Sequence, residues 1–93
     1  MTEEPNHIEL LDLEIESILN FIIGLTSTKA YQYLGIPIKQ GNKPVKDLVK
    51  ARLAIDTTIF LVEKLEPYLD EEQNKQLKQI ISNLQFTYLR ESQ

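Results

Sequence analysis

The chain has 93 residues, of which 42% are hydrophobic and 26% are charged, and it contains no cysteine and one histidine. This length and composition fit one domain whose stability comes from packing, because disulfides and thiolate metal sites are excluded. His7 alone leaves no Ser/His/Asp triad with a buried base, and there is no Cys nucleophile. We therefore expect no enzyme, no metal and no cofactor.

The net charge of −4 is distributed in three blocks along the chain. Residues 1–28 carry six acids and no Lys or Arg, residues 29–52 carry six bases and one acid, and residues 53–93 carry four bases and seven acids. The acidic net charge disfavours general nucleic-acid binding, because neutralising the phosphates needs a basic face on the protein. The simplest interpretation is that the acidic start lies near the basic middle, within one subunit or between two.

The sequence predicts a cytoplasmic protein. Its first residues, MTEEPNH, place acids where a secretion signal needs bases. The most apolar stretch, residues 18–25, is too short for a membrane span of about 20 apolar residues.

A heptad-like stripe predicts a long first helix over residues 8–34, with residues 1–7 expected to be mobile. Its apolar positions recur at intervals of three and four residues, as in an amphipathic helix and not a strand: Ile8, Leu11, Ile15, Ile18, Ile22 and Leu25. The Leu34–Gly35 step followed by Pro37 is typical of a helix end.

Two further helices follow a connecting loop. Residues 35–44 contain two glycines and two prolines, which interrupt a helix. Helix two is predicted over residues 45–66, with Asn42 as its N-cap and Pro67 beyond its end. Helix three is predicted over residues 71–90, with Asp70 and Gln73 forming a capping box. The fold class is therefore all-α, a three-helix hairpin or bundle.

The first helix is long enough to overhang the hairpin formed by the other two. The overhang would expose an apolar row that a second copy could cover, so the sequence predicts a homodimer or higher helical bundle through Ile8, Leu11, Ile15 and Ile18. In the alternative, helix one kinks at Gly24 and folds back over its own hairpin.

A polar strip lies between two apolar arcs of helix two. Arg52 and Asp56 are four residues apart in this strip, and we expect them to form a partly buried ion pair that fixes helix register or subunit orientation. The functional alternative for this pair is a contact to a ligand or partner.

Basic residues before helix two form a candidate anion or partner patch. These residues are Lys39, Lys43 and Lys46, close to the predicted start of helix two, where the helix dipole favours anions. The segment lacks the glycine spacing of a phosphate loop, which makes a specific phosphate site the weaker interpretation.

Several residue pairs carry a resemblance to a known family. They include Gly24–Leu25, Leu34–Gly35, Asp47–Leu48, Ala51–Arg52 and Ile55–Asp56, followed by Leu69–Asp70–Glu71–Glu72 and then Leu77, Leu84 and Tyr88. On these residues the run from Phe21 to Tyr88 resembles a bacterial family catalogued as a domain of unknown function, number eighteen-forty-four. The resemblance implies a small helical protein and supplies no activity, cofactor or binding residue.

The sequence thus favours a non-enzymatic helical interaction module that self-associates through helix one and offers its basic region to an acidic protein partner. A regulatory protein that binds a small ligand, an anion or nucleic acid through residues 35–52 is the alternative.

Overall fold

A computed structural model describes residues 10–38 and 44–93 of the chain. These residues form three α-helices: α1, Ile15–Tyr33; α2, Leu48–Leu65; and α3, Glu71–Glu91. A single 3₁₀ turn, Glu66–Tyr68, joins α2 to α3, and no strand occurs in the described part. The all-helical prediction with three helices is confirmed.

The first helix is shorter than predicted, so the expectation of one continuous helix over residues 8–34 is wrong. Leu10 and Leu11 are helical, but the chain turns at Asp12 and Leu13, and Glu14 is extended at the N-cap of α1. Leu10, Leu11 and Leu13 are all exposed. These three side chains bury little apolar surface, so packing contributes little to a continuous helix through Asp12 and Leu13. The predicted alternative of a kink at Gly24 is not found either, since α1 runs through that residue.

Local chemistry explains where α1 ends. Gly35 has a φ of 89°, a left-handed conformation that favours glycine. Its N–H donates to the Gln32 carbonyl and the Ile36 N–H donates to the Tyr31 carbonyl, which together form a Schellman motif. The Asp47 N–H then donates to the Tyr33 carbonyl at 2.8 Å, which returns the chain to the end of α1.

The second helix begins three residues later than predicted. Asp47, and not Asn42, is its N-cap, because the Asp47 carboxylate accepts the Lys50 N–H at 3.1 Å. Pro44, Val45 and Lys46 are not helical, and Asn42 lies outside the described residues. At the other end, the Asn74 side chain of α3 donates to the Glu66 carbonyl at 3.0 Å and so closes the turn between α2 and α3.

The core forms where α1 and α2 pack side by side and α3 covers one side of the pair. One buried cluster contains Ala30, Leu34, Ala51, Ile55 and Leu84, and a second contains Ile23, Val62, Leu65 and Leu77. Between them, Thr58 is fully buried, and its hydroxyl lies 2.7 Å from that of Thr26 across the α1–α2 contact. The Thr58 hydroxyl also donates to the Ala54 carbonyl at 2.8 Å, so this buried polar group is satisfied.

The capping box of α3 provides a stability test. The Asp70 carboxylate accepts the Gln73 N–H at 2.8 Å, and the Gln73 side chain accepts the Asp70 N–H at 3.2 Å. Asp70→Ala should lower the free energy of unfolding by about 1 kcal/mol, because the first turn of α3 loses its cap. Urea denaturation would measure this loss.

Lys75→Ala is the matched control, since Lys75 is exposed on the same helix and takes no part in the cap. Its effect should stay within about 0.5 kcal/mol. Equal losses for the two variants would contradict the capping role of Asp70.

Candidate functional site

Two of the three described residues of the predicted oligomer interface are exposed. Ile8 lies outside the described residues, Leu11 and Ile15 are 76% and 61% exposed, and Ile18 is partly buried. The chain at Leu11 is separated from α1 by the break at Asp12–Glu14, so the predicted row does not continue along one helix. The oligomeric state itself stays a prediction.

Phe21 is not among the predicted interface residues, although it extends the exposed apolar surface of α1. At about 100° of rotation per residue, Ile18, Phe21, Ile22 and Leu25 occupy one arc of about 100° on α1. Phe21 and Leu25 are 60% and 52% exposed, and Ile18 and Ile22 are partly buried. We call these four residues the outer face of α1. Residues 17–28 contain no charged side chain, so over this stretch nothing charged interrupts the outer face.

Unpacked apolar side chains are widespread in the described residues. All three phenylalanines of the chain are 56–65% exposed, namely Phe21, Phe60 and Phe86. Val49 and Leu53 are also exposed and lie on the same side of α2 as Phe60. Val49, Leu53 and Phe60 are thus exposed together on one side of α2, and such a group of large apolar side chains is typical of an interaction surface.

A shallow groove of about 380 Å³ lies between α1 and α2. Lys29 and Lys50 stand at its end, with their ammonium groups 5.1 and 5.9 Å from the centre of the Tyr33 ring. The other lining residues are mostly apolar or small: Leu25, Thr26, Leu53, Ala54 and Thr57. The groove therefore combines an apolar floor with two positive charges.

The expected partly buried ion pair of helix two is exposed, and that prediction is wrong. Arg52 Nε lies 3.8 Å from Asp56 Oδ2, but the two side chains are 72% and 65% exposed. The reason is that α2 buries Ala51, Ile55, Thr58 and Val62, whereas its second apolar arc, Val49, Leu53 and Phe60, remains exposed. The strip between the arcs therefore faces solvent, beside a groove of about 400 Å³ between α2 and α3.

The predicted lysine patch is described only at Lys46. Lys39 and Lys43 lie outside the described residues. Lys46 Nζ donates to Glu91 Oε1 at 3.0 Å and to the Glu91 carbonyl at 3.1 Å, which connects the start of α2 to the end of α3. Lys46 is therefore already paired within the subunit, whereas Lys29 and Lys50 supply the positive charge at the α1–α2 groove.

Small residues lie on both the buried and the exposed sides of α1. Ser27 is buried against the core, whereas Gly24 is exposed, and a Cβ atom at Gly24 would have no neighbour within 4 Å. In residues 10–38 and 44–93, no group of three acidic or histidine side chains is placed to hold a metal ion. None of the three described helices is long and apolar enough to cross a membrane.

These features define a small all-helical protein with an incompletely covered apolar hairpin. The profile of the family described as Domain of unknown function (DUF1844) matches residues 16–90, and the chain belongs to this family. Neither a curated protein nor a solved structure matches the chain. The family match covers all three helices except Ile15 and Glu91 at their outer ends.

The exposure of the Arg52–Asp56 pair predicts a small effect on stability. Asp56→Ala should change the free energy of unfolding by less than about 0.5 kcal/mol, because an exposed i, i+4 pair contributes little. On the same helix, Thr58→Val should cost about 1 kcal/mol, because Thr26 loses its buried hydroxyl partner. Urea denaturation of both variants distinguishes the two environments, and a loss above about 2 kcal/mol for Asp56→Ala would show that the pair is desolvated.

The Lys46–Glu91 contact predicts a pH-dependent contribution to stability. Hydrogen bonds from Lys46 and then from Arg90 hold the pKa of Glu91 below its ordinary value. A lowered folded-state pKa stabilises the fold above the ordinary glutamate pKa, and this stabilisation is lost as the pH falls through the folded-state value. Glu91→Gln should therefore lower the urea midpoint at about pH 7 and have a smaller effect at about pH 3.

Lys46→Gln should reproduce this pH dependence, because it removes the partner that lowers the pKa of Glu91. Lys75→Gln, at an exposed lysine of α3, is the control and should leave the midpoint unchanged at both pH values. A loss for Glu91→Gln that is the same at both pH values would rule out the charge contribution.

Proposed function

We propose that the protein is a non-enzymatic helical interaction module that forms a homo-oligomer through the outer face of α1. The observation that carries the proposal is the exposure of Phe21 and Leu25 on a part of α1 that has no charged residue from Ser17 to Thr28. Packing this face against another apolar surface would remove it from water, at about 25 cal/mol for each Å² buried.

The architecture favours association over isolated function as a monomer. Nine hydrophobic residues are buried in the described part, whereas fourteen large hydrophobic residues are exposed there. A domain of this length has a limited core, and oligomerisation is a common supplement to it. The absence of cysteine leaves no disulfide to replace this packing.

The second element of the proposal is a protein partner with acidic side chains. Lys29 and Lys50 supply positive charge beside the apolar groove between α1 and α2, and both are exposed. Lys46 contributes less to this surface than the sequence suggests, because Glu91 neutralises it. We also propose that the protein acts in the cytoplasm. A chain without cysteine forms no disulfide and therefore does not need an oxidising compartment.

Oligomerisation predicts a mass that depends on concentration. Light scattering or sedimentation over a concentration series should give at least twice the mass of one chain at the highest concentrations. Leu25→Glu should shift the mass towards that of the monomer, because a carboxylate on the outer face of α1 loses its hydration on association. Circular dichroism should show unchanged helicity, since Leu25 is more than half exposed.

Phe86→Glu is the matched control. Phe86 is 65% exposed but belongs to α3, away from the outer face of α1, so this variant should keep the mass of the unmodified protein. A concentration-independent monomer for the unmodified protein would overturn the proposed function. If Leu25→Glu and Phe86→Glu dissociate the oligomer equally, the interface is not the outer face of α1.

A further inference from the structure

The outer face of α1 continues along the helix as a heptad. Glu14, Ile18, Phe21, Leu25, Thr28 and Gln32 recur at intervals of four and three residues. The middle positions, Phe21 and Leu25, are the most exposed large apolar side chains of this row, and Thr28 is exposed beside them. Two helices pack along such a row by interdigitating side chains, with the axes about 8–10 Å apart.

Charge at the two ends of α1 selects the orientation of a second helix. Asp12, Glu14 and Glu16 surround the start of α1, whereas Lys29 and the nearby Lys50 lie at its far end. A second copy in parallel orientation would place acids beside acids and lysines beside lysines. An antiparallel copy would instead place the acidic end of each α1 beside the basic end of the other.

We propose that two copies of the chain pair through antiparallel α1 helices around a two-fold axis between Phe21 and Leu25. Phe21 of each copy packs on Leu25 of the other, and Ile18 lies opposite Thr28. Lys29 of one copy then lies opposite Ser17 of the other. Glu14 of that second copy is three residues from Ser17, about 4.5 Å further along the axis. A two-fold interface of this kind is self-complementary, because each surface supplies both halves of every contact.

The surface beside the proposed axis permits the close approach of a second helix. Gly24 is exposed in the middle of α1, and the space around its Cβ position is empty to 4 Å. Phe21 and Thr28, which flank Gly24 on the outer side of α1, are exposed to solvent in the single subunit. The exposed glycine therefore leaves room for side chains of the second copy near the centre of the interface.

Cysteine cross-linking tests the orientation, because the chain has no cysteine of its own. Under mild oxidation, a mixture of the Ile18→Cys and Thr28→Cys proteins should form a disulfide between the two variants at least about tenfold more than either variant forms with itself. In the antiparallel pair, Ile18 of one copy lies about 15 Å along the axis from Ile18 of the other, which is too far for a disulfide. Mass spectrometry distinguishes the mixed product from the two single ones.

A charge exchange gives an independent test. Glu14→Lys and Lys29→Glu should each weaken dimerisation about five- to twentyfold, since each pair occurs twice, and the double variant should recover most of the affinity. Lys75→Glu, on the exposed side of α3, is the control for a change of two charge units and should leave the dissociation constant unchanged.

This inference rests on the proposed self-association, and the experiments separate the two. A monomer at every concentration overturns both. A dimer in which Ile18→Cys proteins cross-link with themselves, or in which the double charge variant stays as weak as the single ones, overturns the antiparallel pairing and leaves self-association in place.

Discussion

The contact between α1 and α2 determines which surfaces of the molecule are buried and which remain exposed. Ala30 and Ala51 are fully buried there, and their small side chains let the two helices approach closely. The Thr26 and Thr58 hydroxyls, 2.7 Å apart, add a polar link within this contact. A shift of one helix along the other would separate these hydroxyls in a buried environment, so they favour a single register.

This register has a direct consequence for α1, which is apolar over more of its circumference than one neighbour can cover. Ile23, Ala30 and Leu34 turn towards α2 and α3, so Phe21 and Leu25 must turn away from both. On α2, burying Ile55 and Val62 leaves Leu53 and Phe60 outside in the same way. The third helix covers only one side of the pair, and its own outer side is mostly polar, with Phe86 exposed among the polar side chains. The exposed apolar surface is therefore a property of the helix arrangement, and it connects the fold to the proposed interaction.

The sequence was informative where a structural feature depends on a few neighbouring residues. Gly35 ends α1 in a Schellman motif and Asp70 with Gln73 starts α3, and both are set by hydrogen bonds within one turn. It was less informative where tertiary contacts decide. The heptad pattern passes through Asp12–Glu14 without interruption, although the helix breaks there and Leu11 and Leu13 remain exposed. Arg52 and Asp56 could be placed between two apolar arcs, but the pattern does not reveal that only one arc is covered.

The arrangement of charge also changes meaning once the helices are in place. The sequence separates an acidic start from a basic middle, and the structure pairs Lys46 of the basic block with Glu91 of α3. Glu14 and Lys29 are separated by fifteen residues of α1, about 22 Å along a continuous helix, so they cannot meet within one subunit. Folding thus leaves opposite charges at the two ends of one uncharged apolar surface. An antiparallel second copy brings these ends together and buries the surface between them, which is why the charge distribution and the exposed phenylalanine favour the same assembly.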